Sequence, residues 1–314
     1  MLMFPTAPSV PPEQRGHASV SLRYEDVAQD GRLRLDALPP SLGEAVWRSA
    51  IRNHPAQKLV SEHGIIPILS RMTLLGTSGT IGVAQPLEAD GTFELGSCLD
   101  KNGDVERIVL NMWVDVFGRS GVTYGEQPKN AGEKILVGRL FAEHVFTRLF
   151  APPSERKVTR LPPVSVPEVP PSIYAWRPNE QLLEPIAEAI PVSKSEENYR
   201  FDVLPVVFGV THTDSNQHVN SLIYPQQFEE AVLRRATELG LSTGAMLARG
   251  YEISYRKPSF AGESVKIALR MFRARIDGVD VLAAQGAFVE PSTTDEELIR
   301  GAFKPRCTIR MTFA

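Results

Sequence analysis

The chain is nearly without cysteine: Cys98 and Cys307 are the two in 314 residues. Two cannot build a disulfide framework or a cysteine-rich zinc site, and they read as inert core thiols of a reducing compartment. No apolar run approaches the roughly 18 residues that a membrane-spanning helix needs. A strong charge of one sign is also missing. The net charge of −3 offers no basic field for nucleic acid or an anionic membrane. His17, His54, His63 and His144 are scattered without metal-ligand spacing. No phosphate-binding glycine loop, dinucleotide fingerprint or serine-hydrolase elbow occurs. The opening "MLMFPTAPSVPPEQRG" has proline where a signal peptide needs an apolar core. These absences predict a cytoplasmic protein with no metal, no other cofactor, no nucleic-acid partner and no membrane partner.

What is there is an ordinary globular composition, 42% hydrophobic and 23% charged, long enough for two domains. Proline marks the division. Nine prolines between 152 and 185 forbid a regular helix or a central strand. The expected organisation is a flexible tail over 1–16, a domain over 17–150, a Pro-rich linker over 151–198 and a second domain over 199–314. Tyr174 and Trp176 predict that part of the linker packs down.

Each half carries the same local signals. "LIYPQQFEEAVLRRATEL" spaces Leu222, Phe228, Val232, Ala236 and Leu239 as a helix, with Pro225 tolerable only in its first turn. Strands follow in "YEISYRKPSF" and in the two long runs around Asp277-Gly278, a type I′ hairpin signal, and "CTIRMTF" reads as a last strand. In the first half "LRLDALPPSLGEAVWRSAI" is the helix candidate. Asp90-Gly91 and Asn102-Gly103 are hairpin signals, and "RIVLNMWVDVF" is a strand with Ile108, Leu110, Met112, Val114 and Val116 on one face. Residues 135–150 show a helical stripe of Leu136, Leu140, Phe141, Val145 and Leu149, with a strand as the alternative.

The stretch "THTDSNQHVNSLIY" sets Asp214, Asn216, His218 and Asn220 on alternate positions just before the helix. Asp214 can act as a general base or as a nucleophile. Asn216 and His218 can hold a water, the carboxylate or a leaving group, and Asn220 can tie the loop to the helix start. A helix starting near Ser221 would present free amides to an oxyanion. The same residues also suit an Asx-turn and a helix cap with no chemistry. The two halves superpose in sequence here. Gly31 stands before Glu44-Ala45 as Gln217 stands before Glu230-Ala231, which places Ala28 on Asp214, Asp30 on Asn216, Arg32 on His218 and Leu33 on Val219. A repeat this long implies a duplicated domain.

"TDSNQHVNSLIYPQQFEEA" resembles the D-x-N-x-H-V-N-x-x-x-Y segment of hotdog-fold thioesterases, and the two-half layout is similar to the tandem hotdogs of plant-type acyl-acyl-carrier-protein thioesterases. The resemblance implies an α+β fold, a tandem (double) hotdog, each half a long helix packed on an antiparallel sheet. It puts the catalytic Asp, Asn and His of that family on Asp214, Asn216 and His218. The family's following Glu and Cys are absent, since Tyr255-Arg256-Lys257 leads to Pro258 and Ser259. "SYRKPSFAGESVKI" is closer to the pattern of the smaller 4-hydroxybenzoyl-CoA thioesterases, which use one carboxylate. Asn220, Glu230 and Ser259 are supporting candidates. Glu230 is equally an Arg234 partner at i, i+4, and Ser259 has no visible base. The implied function is hydrolysis of an acyl thioester on acyl carrier protein or CoA, by a monomer (a pseudo-dimer) or a homodimer, with the first half a non-catalytic copy. Alternatives are an acyltransferase or dehydratase on acyl thioesters, or a silent acyl-thioester binding module.

Overall fold

The computed structural model describes residues 2–276 and 278–313. The chain forms two compact units, Phe4–Arg177 and Pro178–Ala314, the latter joined by Met1–Met3. The division falls inside the proline-rich stretch.

The Phe4–Arg177 unit is an antiparallel sheet of β1 (Arg15–Val20), β2 (Ile66–Gly76), β3 (Leu87–Leu99), β4 (Val105–Arg119) and β5 (Lys134–Thr147), in the order β1-β3-β4-β5-β2. Asn102-Gly103 makes the β3–β4 connection, with Gly103 at φ +88° and the Asp100 carboxylate accepting from the Asn102 and Asp104 amides at 2.8 and 3.0 Å. Asp90-Gly91 does not make a turn. Both residues lie inside β3, opposite Asp115 and Val114. The glycine serves packing instead: a Cβ there would stand 2.7 Å from Val46 Cγ2 and 3.0 Å from Ala45 Cβ. Residues 134–147 form a strand, the alternative reading. Isoleucine, valine and phenylalanine favour an extended chain, Gly138 disfavours a helix, and β2 and β4 flank the segment on both sides.

The helix expected over 33–51 is not one regular helix. It runs through α1 (Pro39–Leu42), a π-helical stretch Gly43–Ala50 and a 3-10 turn Ile51–Asn53. Pro39 and Pro40 open it at positions where no amide is needed. The widened turn carries Ala45 and Val46, fully buried, over Gly91. α2 (Gln57–His63) follows. The first residues pack rather than trail: Val10 is buried, and the Trp113 indole donates to the Pro5 carbonyl at 3.0 Å. The linker packs too. β6 (Ser172–Ile173) pairs with β3, Tyr174 Oη donates to Glu94, and the Arg107 guanidinium lies 4.1 Å over Trp176.

In the second unit the short strands β7 (Ile190–Pro191), β8 (Arg200–Phe201) and β9 (Val206–Val207) line β11. The main strands β10 (Ala248–Tyr255), β11 (Ser264–Ile276), β12 (Val279–Val289) and β13 (Cys307–Phe313) are antiparallel in the order β10-β13-β12-β11. Ile276 pairs with Val279 and Gly278 has φ +81°, as a tight hairpin requires; Asp277 lies outside the described residues. α3 (Ile223–Glu238) lies against β10, β11 and β13. It buries Phe228, Ala231, Val232 and Ala236 completely. Gly286 gives Phe228 its room, since a Cβ there would meet Phe228 Cε2 at 2.6 Å. Replacing a buried phenylalanine by alanine typically costs about 3–5 kcal/mol, so this ring is a main anchor of α3. Beyond β12, α4 (Asp295–Ile299) is closed by a capping box between Thr294 and Glu297. No helix among the described residues is long and apolar enough to cross a membrane.

Candidate active site

The loop before α3 is built from local hydrogen bonds. Phe208 is fully buried and fixes its entry. A 3-10 turn, Val210–His212, follows, and Thr213 and Val219 then meet in an isolated antiparallel bridge. Between them the chain closes tightly. The Asp214 amide donates to the His218 carbonyl at 3.2 Å, and the Gln217 amide to the Asp214 carbonyl at 2.9 Å. Closure forces Gln217 to φ +65°, a region that side chains other than glycine seldom adopt.

Within this ring the Asp214 carboxylate takes the Asn216 amide on Oδ1 at 2.8 Å, an Asx-turn, and Asn220 Nδ2 reaches Oδ2 at 3.4 Å. Asn220 joins loop to helix. Its amide donates to the His212 carbonyl at 2.9 Å, its Oδ1 accepts from Leu222 at 2.9 Å, and its carbonyl accepts from Ile223 at 3.0 Å. The helix therefore begins at Ile223, two residues later than Ser221. Two of its leading amides are already used and Pro225 has none, so the supply of amides for an oxyanion is smaller than the sequence suggests. His218 Nδ1 lies 3.4 Å from the Val219 carbonyl. With the proton on Nδ1, the other ring nitrogen is an acceptor.

Asp214, Asn216, His218 and Asn220 thus share one loop. Ser259 joins them through the backbone: its carbonyl accepts from the Val219 amide at 2.8 Å, and its amide donates to Tyr224 Oη at 3.1 Å. Its hydroxyl is fully buried and accepts from Arg306 at 3.0 Å. Tyr255 Oη donates to the Ser221 carbonyl at 2.8 Å. Burial pushes the Tyr224 phenol up to about 12 and the Tyr255 phenol well above its usual value. Glu230 is not part of this cluster. It is exposed and lies 3.8 Å from Arg234, its i, i+4 partner. Glu229 instead accepts from the Ala248 amide at 3.1 Å. Among the described residues no group of three or more His, Cys, Asp or Glu side chains is placed to hold a metal ion.

The other unit carries the same loop. The Ala28 amide donates to the Arg32 carbonyl at 2.8 Å and the Gly31 amide to the Ala28 carbonyl at 2.9 Å. Val27 and Leu33 form the closing bridge, and the Arg34 amide reaches the Asp26 carbonyl at 2.9 Å. At the carboxylate position stands Ala28. Arg32, at the histidine position, is paired with Asp30 at 2.6 Å.

No protein-family model matches the chain, and no curated protein sequence matches it. Solved structures do. The 12:0-ACP thioesterase from Umbellularia californica aligns over 96% of this chain and 94% of its own, with 13% identity and a TM-score of 0.55. A protein assigned provisionally as an oleoyl thioesterase, from Lactobacillus plantarum, aligns over 95% of both chains at 13% identity and a TM-score of 0.56. An acyl-ACP thioesterase from Bacteroides thetaiotaomicron aligns over 96% of this chain and 98% of its own, at 12% identity and a TM-score of 0.50. The chain has the tandem hotdog fold. At these identities the likeness speaks of fold alone. In the second hotdog the residues the motif did not single out are Tyr255, Ser221 and Arg306. Arg306 lies 47 positions from Ser259, and no local pattern could have joined them.

Proposed function

We propose that the chain is an acyl thioesterase, hydrolysing an acyl-ACP or acyl-CoA thioester at one site per chain. The site is the Asp214–Asn220 loop of the second hotdog. The observation that carries the reading is the Asp214 carboxylate. One oxygen is fixed by the Asn216 amide at 2.8 Å, while the other, among the described residues, meets Asn220 at 3.4 Å and keeps capacity for a water or a carbonyl carbon. Asp214 acts as general base on that water or as nucleophile, and His218, with its free nitrogen accepting, holds the water. Asn216 orients the thioester. Asn220 and Ser259 support the loop, and Glu230 has a surface role. The names of the structural neighbours, acyl-ACP and oleoyl thioesterases, favour an acyl chain on a carrier.

The organisation belongs to the same proposal: a catalytic hotdog over 199–314, a first hotdog over 17–150 that lacks the carboxylate, each with its helix on its sheet, and a linker between. The protein acts in the cytoplasm of its cell, as a monomer or homodimer. A second reading, a silent binding module, is favoured by the Asx-turn itself, which gives Asp214 a structural task.

The deciding experiment is turnover of an acyl-CoA and acyl-ACP panel by wild type and Asp214→Asn. The amide keeps the shape and the Asn216 contact but is no base. A loss of about 10²–10⁴-fold in kcat with an unchanged Tm is the expected result. Turnover equal to wild type moves the chemistry elsewhere, and no thiol release by wild type favours the binding module.

A further inference from the structure

The geometry points to Arg306 as a positioning residue for the Asp214–Asn220 loop, acting through Ser259. The inference rests on the thioesterase reading for its catalytic consequence and on geometry alone for the clamp.

Arg306 stands just before β13 and grips the 256–263 loop from two directions. Its carbonyl accepts from the Arg256 and Lys257 amides at 2.9 and 3.0 Å, and its own amide donates to the Phe288 carbonyl at 2.8 Å. The side chain then reaches over the loop. Nη1 donates to Ser259 Oγ at 3.0 Å, to the Pro258 carbonyl at 3.5 Å and to Glu263; Nη2 and Nε donate to Glu290 at 2.8 and 3.1 Å. Lys257 completes the group, 2.9 Å from Glu290. A guanidinium is a flat, rigid fork of donors. With two carboxylates and a second cation around it, the group is neutral and oriented.

Ser259 passes this order on. Its side chain is tied to Arg306, and its backbone meets the site on both sides: its carbonyl accepts from the Val219 amide and its amide donates to Tyr224 Oη. Val219 lies between His218 and Asn220 in the loop that otherwise depends on short-range bonds. The Val219 to Ser259 bond therefore sets where that loop stands on the hotdog. Small displacements of a catalytic group are costly in rate, so loosening Ser259 should lower kcat more than it changes KM.

The test uses the full chain and four variants: Ser259→Ala, Arg306→Lys, Arg306→Gln and, as a control, Arg235→Gln. The control breaks another buried ion pair, Arg235 with Glu196 at 3.0 Å, on the distal part of α3. Measured are Tm, the hydrogen-exchange rate of the Val219 amide, and kcat and KM on the fastest substrate of an acyl-CoA panel. Ser259→Ala should raise Val219 exchange about tenfold and lower kcat about threefold to tenfold, with KM within about threefold. Arg306→Gln should do more, and Arg306→Lys should recover part of both. Arg235→Gln should lower Tm while Val219 exchange rises only as far as global stability falls. If Arg306→Gln does not fold, Ser259→Ala and Arg306→Lys decide. Wild-type Val219 exchange in the folded Ser259→Ala and Arg306→Lys variants overturns the clamp. If wild type turns over no thioester, the exchange result still decides the clamp, and the failure belongs to the thioesterase reading.

Discussion

Gln217 occupies in its loop the place that Gly31 holds in the other hotdog. Both backbones stand at positive φ, +65° and +80°, and each amide donates to the carbonyl three residues back, of Asp214 and of Ala28, at 2.9 Å. The two loops share one backbone plan and differ in where the carboxylate stands: at Asp214 in one, and in the other at Asp30, with Ala28 in the Asp214 position.

A glycine costs nothing sterically in that conformation, whereas a glutamine is strained. Gln217→Gly is expected to hold or raise stability, by up to about 1 kcal/mol. Gln217→Val should lose about 1–3 kcal/mol, because a β-branched residue at positive φ is a stronger violation. Urea denaturation of both variants beside wild type reads the difference.

Ala28 can neither take a proton nor attack a carbonyl, and Arg32 offers only donors and is paired with Asp30. On the proposed reading, one site per chain is the expected outcome. Titration with a non-hydrolysable acyl-thioether analogue should reach one equivalent, and Arg32→Ala should keep kcat within about threefold. Two equivalents, or half of the activity surviving Asp214→Asn, would assign chemistry to the first hotdog.

Ser259 should carry no acyl group. Its hydroxyl is buried and accepts from Arg306, a cation that cannot take its proton. Intact-mass analysis during turnover, followed by peptide mapping, should show no adduct there. An acyl-Ser259 peptide would replace the Asp214 mechanism.

Gly91 is a packing glycine. In Gly91→Ala the new methyl meets Val46 and Ala45 at 2.7 and 3.0 Å, and neither neighbour is the loose end of a long side chain. A loss of about 1–3 kcal/mol is expected in chemical denaturation. Asn102→Ala, in a real turn, should cost less.

His144 lies against Trp47, 7% exposed, and burial lowers its pKa from 6.5 to about 4. The sign is that of a histidine buried neutral. Between about pH 6.5 and 4 the unfolded chain takes up a proton that the folded chain refuses, so stability falls with pH across that window and levels below it, by roughly 3 kcal/mol in all. His54, lowered by the same cause, adds to the slope. Denaturation of His144→Gln from pH 7 to 4 should show a clearly shallower fall than wild type.

The sequence by itself determined what depends on neighbours in the chain. The Asp214–Asn220 loop, the α3 stripe from Phe228 to Ala236, the Asn102-Gly103 turn and the internal repeat all rest on local dihedral preference or on helical period, which a linear string records. Only the tertiary structure decided the rest. Residues 134–147 carry apolar groups that suit either period, and the pairing with β2 and β4 selected the strand. Asp90-Gly91 has turn chemistry, yet the approach of Val46 and Ala45 placed it inside β3. The helix over 39–53 widened where Ala45 meets Gly91, which its own residues do not announce. Arg306 reached Ser259 because β12 and β13 carry their ends to the 256–263 loop. Such contacts join residues far apart in the chain, and their energy exists only once the sheet has formed.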